Sequence, residues 1–397
     1  MSRPGRWPWW VQVLAVHATA RGLSAVVFVL VAGTQAASGW TDASPSYPQY
    51  TGLMWDASWY RAIAEHGYPS TLPRGDGGAV LQNSWAFYPL FPLLTRPLLA
   101  AGLPWEVAVP TLAVVLSGLA MLVVHRVLTH AMAQPAAGDL PGRVRRAVPL
   151  TGVALLATAA SAPVLQTAYT EALALLLLAS ALWALQRERY LLAAAPVLAL
   201  GLTRAVALPL VVAVLAHGVA RWRRDGATRW PALAALAAAT VASGLAWPAV
   251  AGVVTGEPTA FTATQSAWRG RAAVVPVLPW FDVSRWLLGD VGPVAVVLLV
   301  AIAVGLLAAR PVRRLGAELW GWTAGYLGYL FVAVEPGTSL GRFALLAFPV
   351  VGALAQPALG SRHPRAAVGA LVVLGVVGQV AWIGLVWRLV PPAGWPP

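Results

Sequence analysis

The chain has 397 residues, 59% of them hydrophobic and only 10% charged, with a mean hydropathy of +0.70 and a formal net charge of +13. A soluble domain carries about 25% charged residues, so this composition excludes an ordinary soluble globule and implies a polytopic membrane protein. Arginine supplies all of the positive charge, and cysteine is absent. Lysine Schiff bases, disulfides, thiol nucleophiles and thiolate metal sites are therefore excluded. The basic balance fits arginine-rich cytoplasmic loops rather than nucleic acid.

In chain order, eleven hydrophobic segments read as spans: 11–33, 105–129, 148–162, 169–186, 191–203, 205–219, 231–254, 291–309, 318–334, 341–356 and 366–387. The first is too long for a signal-peptide core of about 7–15 residues and reads as a retained span. Arginines gather at Arg3 and Arg6, at 126–146, at Arg187 and Arg189, at 221–229, at 310–314 and at Arg362 and Arg365. The positive-inside rule places these clusters and the N-terminus in the cytoplasm.

Two assignments follow from parity. The run 87–97 is apolar, but counting it as a span would put Arg143–Arg146 outside. Its three prolines also oppose helix hydrogen bonding, so it reads as a juxtamembrane or re-entrant element. Conversely, 191–219 reads as two short helices hinged near Thr203 and Arg204. The outer side then carries large loops at 34–104 and 255–290, with short ones near 161–168 and 335–340. No repeat and no separate soluble domain is visible, so residues 1–397 form a single transmembrane domain.

The outer segments hold the residues suited to chemistry. A helix over 55–66 places Trp55, Trp59, Ala62, Ile63 and His66 on one stripe at 100° per residue, with Asp56 and Tyr60 flanking it. Gly67 and Pro69 stop it. Tyr88 belongs to the proline-rich element, whose apolar surface suits either packing against the spans or a wall for a polyprenyl chain. Tyr169 and Glu171 stand where a span opens, and an acid there is either a favourable partner of the helix dipole or a functional group. Arg204 lies in an apolar stretch of almost 30 residues. A guanidinium there needs an anion, either Glu171 or a ligand phosphate. Arg21 is also intramembrane, with no motif around it, and reads as structural. Arg342 follows the outer 335–340 loop, within reach of a headgroup or snorkelling to the interface. Phe261, Gln265 and Trp268 share a helical face, beside Arg269. An indole with a neighbouring amide suits either a sugar or an interfacial anchor. The six histidines show no metal-ligand spacing, and neither a phosphate-cradling glycine loop nor a nucleophile elbow is present, so no cofactor is expected.

Together, Trp55-Asp56 through Gly67-Tyr68, 86–92, Tyr169-Thr170-Glu171, Leu202-Thr203-Arg204 and Gln265 to Trp268 resemble the PIG-V-type family. Its members are mannosyltransferases of GPI-anchor assembly, within the GT-C superfamily of membrane glycosyltransferases. The matching pieces are short and spread over the first 270 residues or so; beyond them only hydrophobic spans and Arg342 match. The resemblance implies an all-α membrane fold, a GT-C-like bundle, and a polyprenyl-phosphate-linked donor carrying mannose. It also implies extracytoplasmic catalysis with an acidic residue, Asp56, near the acceptor hydroxyl. The absence of lysine, read as the coding bias of a GC-rich genome, points to a bacterial origin and so away from a GPI acceptor, and an envelope glycolipid or glycan is expected instead. Inverting transfer needs a base for the hydroxyl and a cation for the leaving phosphate, and no enzyme nucleophile. Asp56 fits the first role, Arg204 or Arg342 the second, and Glu171 orients either group or serves as the base itself. A transporter or flippase of lipid-linked glycans is the competing reading, though such folds show repeats with interrupted helices. A scaffold with a degenerate site is a third.

Overall fold

The computed structural model describes residues 7–226, 229–270, 275–390 and 397. Arg3 and Arg6 lie outside the described residues. The chain is all-helical, with 75% of residues in helices and no strands among the described residues; an isolated bridge joins Arg74 to Val80.

The helices are α1 (Trp9–Ala32), α2 (Tyr47–Gly52), α3 (Asp56–His66), α4 (Leu90–Ala100), α5 (Trp105–Ala133) and α6 (Gly142–Ala157). Next come α7 (Glu171–Gln186), α8 (Tyr190–Gly201), α9 (Leu210–Asp225), α10 (Trp230–Thr255), α11 (Ala260–Arg269) and α12 (Leu278–Leu288). The last six are α13 (Gly292–Ala308), α14 (Arg310–Arg313), α15 (Ala317–Ala333), α16 (Leu340–Ala344), α17 (Pro349–Gly360) and α18 (Pro364–Trp382).

Five stretches are long and apolar enough to cross a membrane: Trp9–Ala32, Trp105–Ala133, Trp230–Thr255, Leu278–Ala308 and Pro364–Trp387. A sixth is the pair Leu340–Ala347 and Pro349–Gly360, bent by 71°. Within Leu278–Ala308 the chain turns at Gly289, whose φ of +61° is left-handed, and Gly292 packs against the Ser284 carbonyl. Only α13, of 17 residues, lies beyond that turn, as its predicted boundary near 291 anticipates. All eleven predicted spans contain helix, but α6, α7, α8, α9, α15 and α17 have 12 to 17 residues each. At 1.5 Å per residue these are shorter than a hydrocarbon core of about 30 Å. The count of eleven complete spans is thus not reproduced.

The centre of the bundle is α5 packed along α7 and α6, with α8, α10, α9 and α15 following in succession. Val124, Val127, Leu128, Leu175 and Leu178 are fully buried there. The helices approach closely where side chains are small, as membrane helices do: a Cβ on Gly201 would lie 2.2 Å from the Ser243 carbonyl of α10. At the periphery α13 exposes Val294, Val297, Leu298 and Ile302, a surface suited to lipid.

The arginine-bearing turns are tied together at one end. Arg221 pairs with Glu188 at 2.8 Å, Arg314 Nε with Asp139 at 3.0 Å, and Gln356 donates to the Pro311 carbonyl at 2.8 Å. Helix α7 runs from that end to the opposite one, where Glu171 begins it. The run 87–97 differs from expectation. It forms α4, because Pro89 is the N-cap and Pro92 lies in the first turn, where no amide donor is required. The predicted hinge is present as the break between α8 and α9, and its Leu202 carbonyl accepts from Leu90 N–H at 2.8 Å.

Candidate functional site

Two helices aim their N-termini at one place, and each begins with a carboxylate: α3 with Asp56, α7 with Glu171. The positive end of a helix dipole favours an anion at that position. Asp56 is further fixed by its neighbour. Trp55 adopts φ +60°, a strained conformation for a bulky residue. It is held there by its indole donating to the Trp387 carbonyl at 2.7 Å and by contact with Trp40. Asp56 N–H donates to the Tyr169 hydroxyl at 3.1 Å.

The acids meet arginines from two other segments. Arg342 of α16 donates from Nη2 to Asp56 Oδ2 at 2.7 Å and from Nη1 to Glu171 Oε1 at 3.0 Å. Arg204, in the hinge after α8, reaches the same Glu171 oxygen at 2.6 Å and the Thr170 hydroxyl at 3.1 Å. Both guanidinium groups lie over the Phe343 ring, at 4.7 Å and 5.0 Å, and Arg342 also lies over Tyr169 at 4.9 Å. The result is a four-membered ionic chain, Asp56–Arg342–Glu171–Arg204. Side-chain exposure grades along it: 14% for Asp56, 8% for Arg342, 1% for Glu171 and 12% for Arg204.

Beside this chain is a cavity of about 420 Å³. Asp56, Arg204 and Arg342 line it at one part, with Tyr60, Phe87, Tyr88, Gln265, Trp268, Arg269, Tyr326 and Tyr329 around the rest. Glu171 lies beneath the lining. Burial pushes the phenols of Tyr60 and Tyr88 well above their usual range, so both stay protonated and act as hydrogen-bonding groups rather than bases. Gln265 makes no hydrogen bond among the described residues, and Arg269 donates to the Ala333 carbonyl at 3.3 Å.

The structure therefore brings together Asp56, Tyr60, Tyr88, Arg204, Gln265, Trp268, Arg269 and Arg342 from segments far apart in sequence. Four other predicted site residues stand behind the wall. Trp55 and Tyr169 are buried supports, Glu171 is a buried ionic hub, and Trp59 stacks on Phe87 at 5.7 Å and meets Trp268 edge-on at 5.2 Å. The expected stripe on α3 is also rotated: Ala57, Tyr60, Ile63 and Ala64 are buried, whereas Ala62 and His66 are exposed. Phe261 does not line the cavity but packs on Tyr88. Sequence reasoning missed Thr170, Tyr326, Tyr329 and Phe343. The one available signal was the i, i+3 pair of tyrosines, Tyr326 and Tyr329, in an aromatic-rich apolar stretch.

In fold, the chain is similar to the oligosaccharyltransferase of the archaeon Archaeoglobus fulgidus solved with zinc and sulfate, at a TM-score of 0.50 and 15% identity over 96% of this chain and 54% of that one. It is likewise similar to the archaeal oligosaccharyltransferase AglB from Archaeoglobus fulgidus in complex with an inhibitory peptide and a dolichol-phosphate. There the TM-score is 0.50 and the identity 14%, over 98% of this chain and 57% of that one. This chain spans little more than half the length of those proteins. Such identity speaks for the fold alone: a GT-C-like membrane helical bundle. No protein-family model and no curated protein matches the chain. Zinc accompanies the first neighbour, but no group of three His, Asp or Glu that could hold a metal occurs among the described residues here. Asp56 and Glu171 are moreover already paired with guanidinium groups, so this donor set does not fit a metal.

Proposed function

We propose that the chain is a GT-C-type glycosyltransferase of the PIG-V-like kind. It moves a sugar, with mannose expected, from a polyprenyl-phosphate donor to an envelope glycolipid or glycan on the extracytoplasmic side. One observation carries this reading: a single cavity is lined by two carboxylates, Asp56 at a helix N-terminus and Glu335 beyond α15, and by three arginines, Arg204, Arg269 and Arg342. That is the minimal equipment for inverting transfer from a sugar phosphate. The acceptor oxygen attacks the anomeric carbon, the carbon–oxygen bond to phosphate breaks with its electron pair leaving on the phosphate, and the hydroxyl proton passes to Asp56. The guanidinium groups stabilise the charge that develops on the leaving group. Trp268 and Gln265 offer a sugar an apolar face and a free amide, and the aromatic wall accommodates an isoprenoid chain.

The experiment is transfer of labelled sugar from polyprenyl-phosphate-mannose by the purified protein, paired with mass spectrometry of envelope glycolipids and glycans from cells with and without it. Loss of a hexose from one glycan class, and transfer in vitro, are expected. An unchanged glycan profile with lipid-linked glycan accumulating on one leaflet would replace this reading with a flippase. Orientation has its own check, since the chain has no native cysteine. Ser70→Cys, at an exposed position of the first outer loop, should react with an impermeant thiol reagent in intact cells. Ala136→Cys, exposed at the arginine-rich end, should react only after permeabilisation. The opposite pattern would overturn the topology.

A further inference from the structure

The two amino groups of Arg342 lead to different places. Nη2 holds Asp56, which lines the cavity, and Nη1 holds Glu171, which is buried beneath it. The carboxylate assigned as base thus has one oxygen committed to a cation. While that contact holds, the oxygen is engaged by Arg342 rather than by an acceptor hydroxyl. The same guanidinium lines the cavity where a leaving phosphate needs a positive partner. A phosphate seated there sets a second anion against Asp56 in competition for one amino group.

Arg342 is built to be lost by Asp56 without becoming an orphaned buried charge. Its other amino group stays on Glu171, whose second oxygen, Oε2, is buried and has no hydrogen-bond partner in the structure. Arg342 Nε is also buried and unpartnered. The guanidinium lies over the rings of Tyr169 and Phe343, surfaces that attract a cation while leaving it free to shift in plane. Arg204, on the Glu171 Oε1 atom at 2.6 Å, keeps the hub neutralised whichever way Arg342 turns.

We propose that Arg342 is a movable counter-ion, and that the phosphate of a lipid-linked donor takes its outer amino group from Asp56, so that Asp56 becomes a competent base only with donor bound. This rests on the glycosyltransferase reading for its consequence, but the exchange itself is read by binding alone. The probe is farnesyl phosphate titrated into the full-length protein in nanodiscs, with farnesol as the phosphate-free control. If Asp56 competes with phosphate for Arg342, Asp56→Asn should bind farnesyl phosphate more tightly than wild type, by about tenfold or more. Arg342→Gln should bind it more weakly by a similar or larger factor, and farnesol affinity should stay constant. Asp56→Ser serves as a second variant should the asparagine protein fail to fold. Equal affinity for farnesyl phosphate in wild type and a folded Asp56 variant overturns the proposal, as does absence of phosphate-dependent binding to wild type. The two readings fail separately. Equal affinity with transfer lost in the Asp56 variant removes the counter-ion exchange and keeps the enzyme. Tighter binding with transfer intact keeps the exchange and removes Asp56 as base.

Discussion

Arg21 and Arg342 are buried to nearly the same degree, 4% and 6% exposed, yet their surroundings differ in kind. Arg21 of α1 has no carboxylate partner. Its amino groups donate to the carbonyl of Ala157, at 2.6 Å, the last residue of α6, where the helix dipole is negative and carbonyls lack intrahelical partners, and to the carbonyl of Ala162, which opens the short turn that follows. Gln379 donates to that same Ala157 carbonyl at 3.1 Å. Arg21 is therefore clamped by fixed backbone dipoles and closes a helix end against its neighbours. Arg342 is held by two side-chain carboxylates and lines a cavity. Burial of a cation is the same cost in both cases; what separates a structural arginine from a functional one is whether its counter-charges are rigid and whether a ligand can reach it.

The sharpest way to break that contrast is at the acid that Arg342 shares with the cavity. General-base groups contribute about 10²–10⁴-fold, so Asp56→Asn should lower transfer by that range while expression and thermal stability stay near wild type. Near-normal transfer would move the base to another residue and leave Asp56 as a mere partner of Arg342. The next largest effect concerns the hub. Glu171→Gln removes the carboxylate partner of Arg204 and one of the two partners of Arg342, and breaking a buried pair from one side costs about 3–5 kcal/mol. Thermal unfolding in detergent should show a large loss for Glu171→Gln. Arg204→Gln/Glu171→Gln should regain most of it, because no charge is then stranded. A double variant as unstable as Glu171→Gln would mean the two side chains do not act as a pair.

The sequence made much of this legible, for identifiable reasons. Asp56, Arg204 and Arg342 stand out because a charge among tryptophans or inside an apolar run demands a partner, and all three meet one. Arg21 was readable as structural because no chemistry-bearing motif surrounds it. The pairing of Asp56 with Arg342, 286 positions apart, was not readable, since periodicity reports only which face of a helix is apolar. The α3 stripe was misjudged for a related reason. A helical wheel ranks tryptophan as the most apolar face, but α3 lies against α4, and close approach favours the small Ala57 and Ala64 with Tyr60 between them. The count of eleven spans is not confirmed by helix length, which is a weak guide where a helix is sheathed by protein, as α7 is, with 12 of its 16 residues buried.

The smallest effect expected is at Arg21, and it is the one that tests whether rigidity of the partners is the right criterion. Arg21→Met keeps an unbranched apolar stem and removes the guanidinium. The Ala157 carbonyl retains Gln379 as a donor, so the acceptor that loses its side-chain donor is the Ala162 carbonyl, at the start of a short 3-10 turn. One buried unsatisfied group costs about 1–3 kcal/mol, and removal of a buried cation offsets part of it, which places the loss near the lower end. Transfer per folded molecule should be unchanged, since Arg21 neither lines the cavity nor touches a residue that does. Measuring thermal stability and transfer on the same preparation separates the two. A modest stability loss with full specific activity keeps Arg21 as a helix clamp. Loss of specific activity at unchanged stability would mean that the end of α6 moves during turnover, and that carbonyl partners at a helix terminus are not the fixed cradle argued for here.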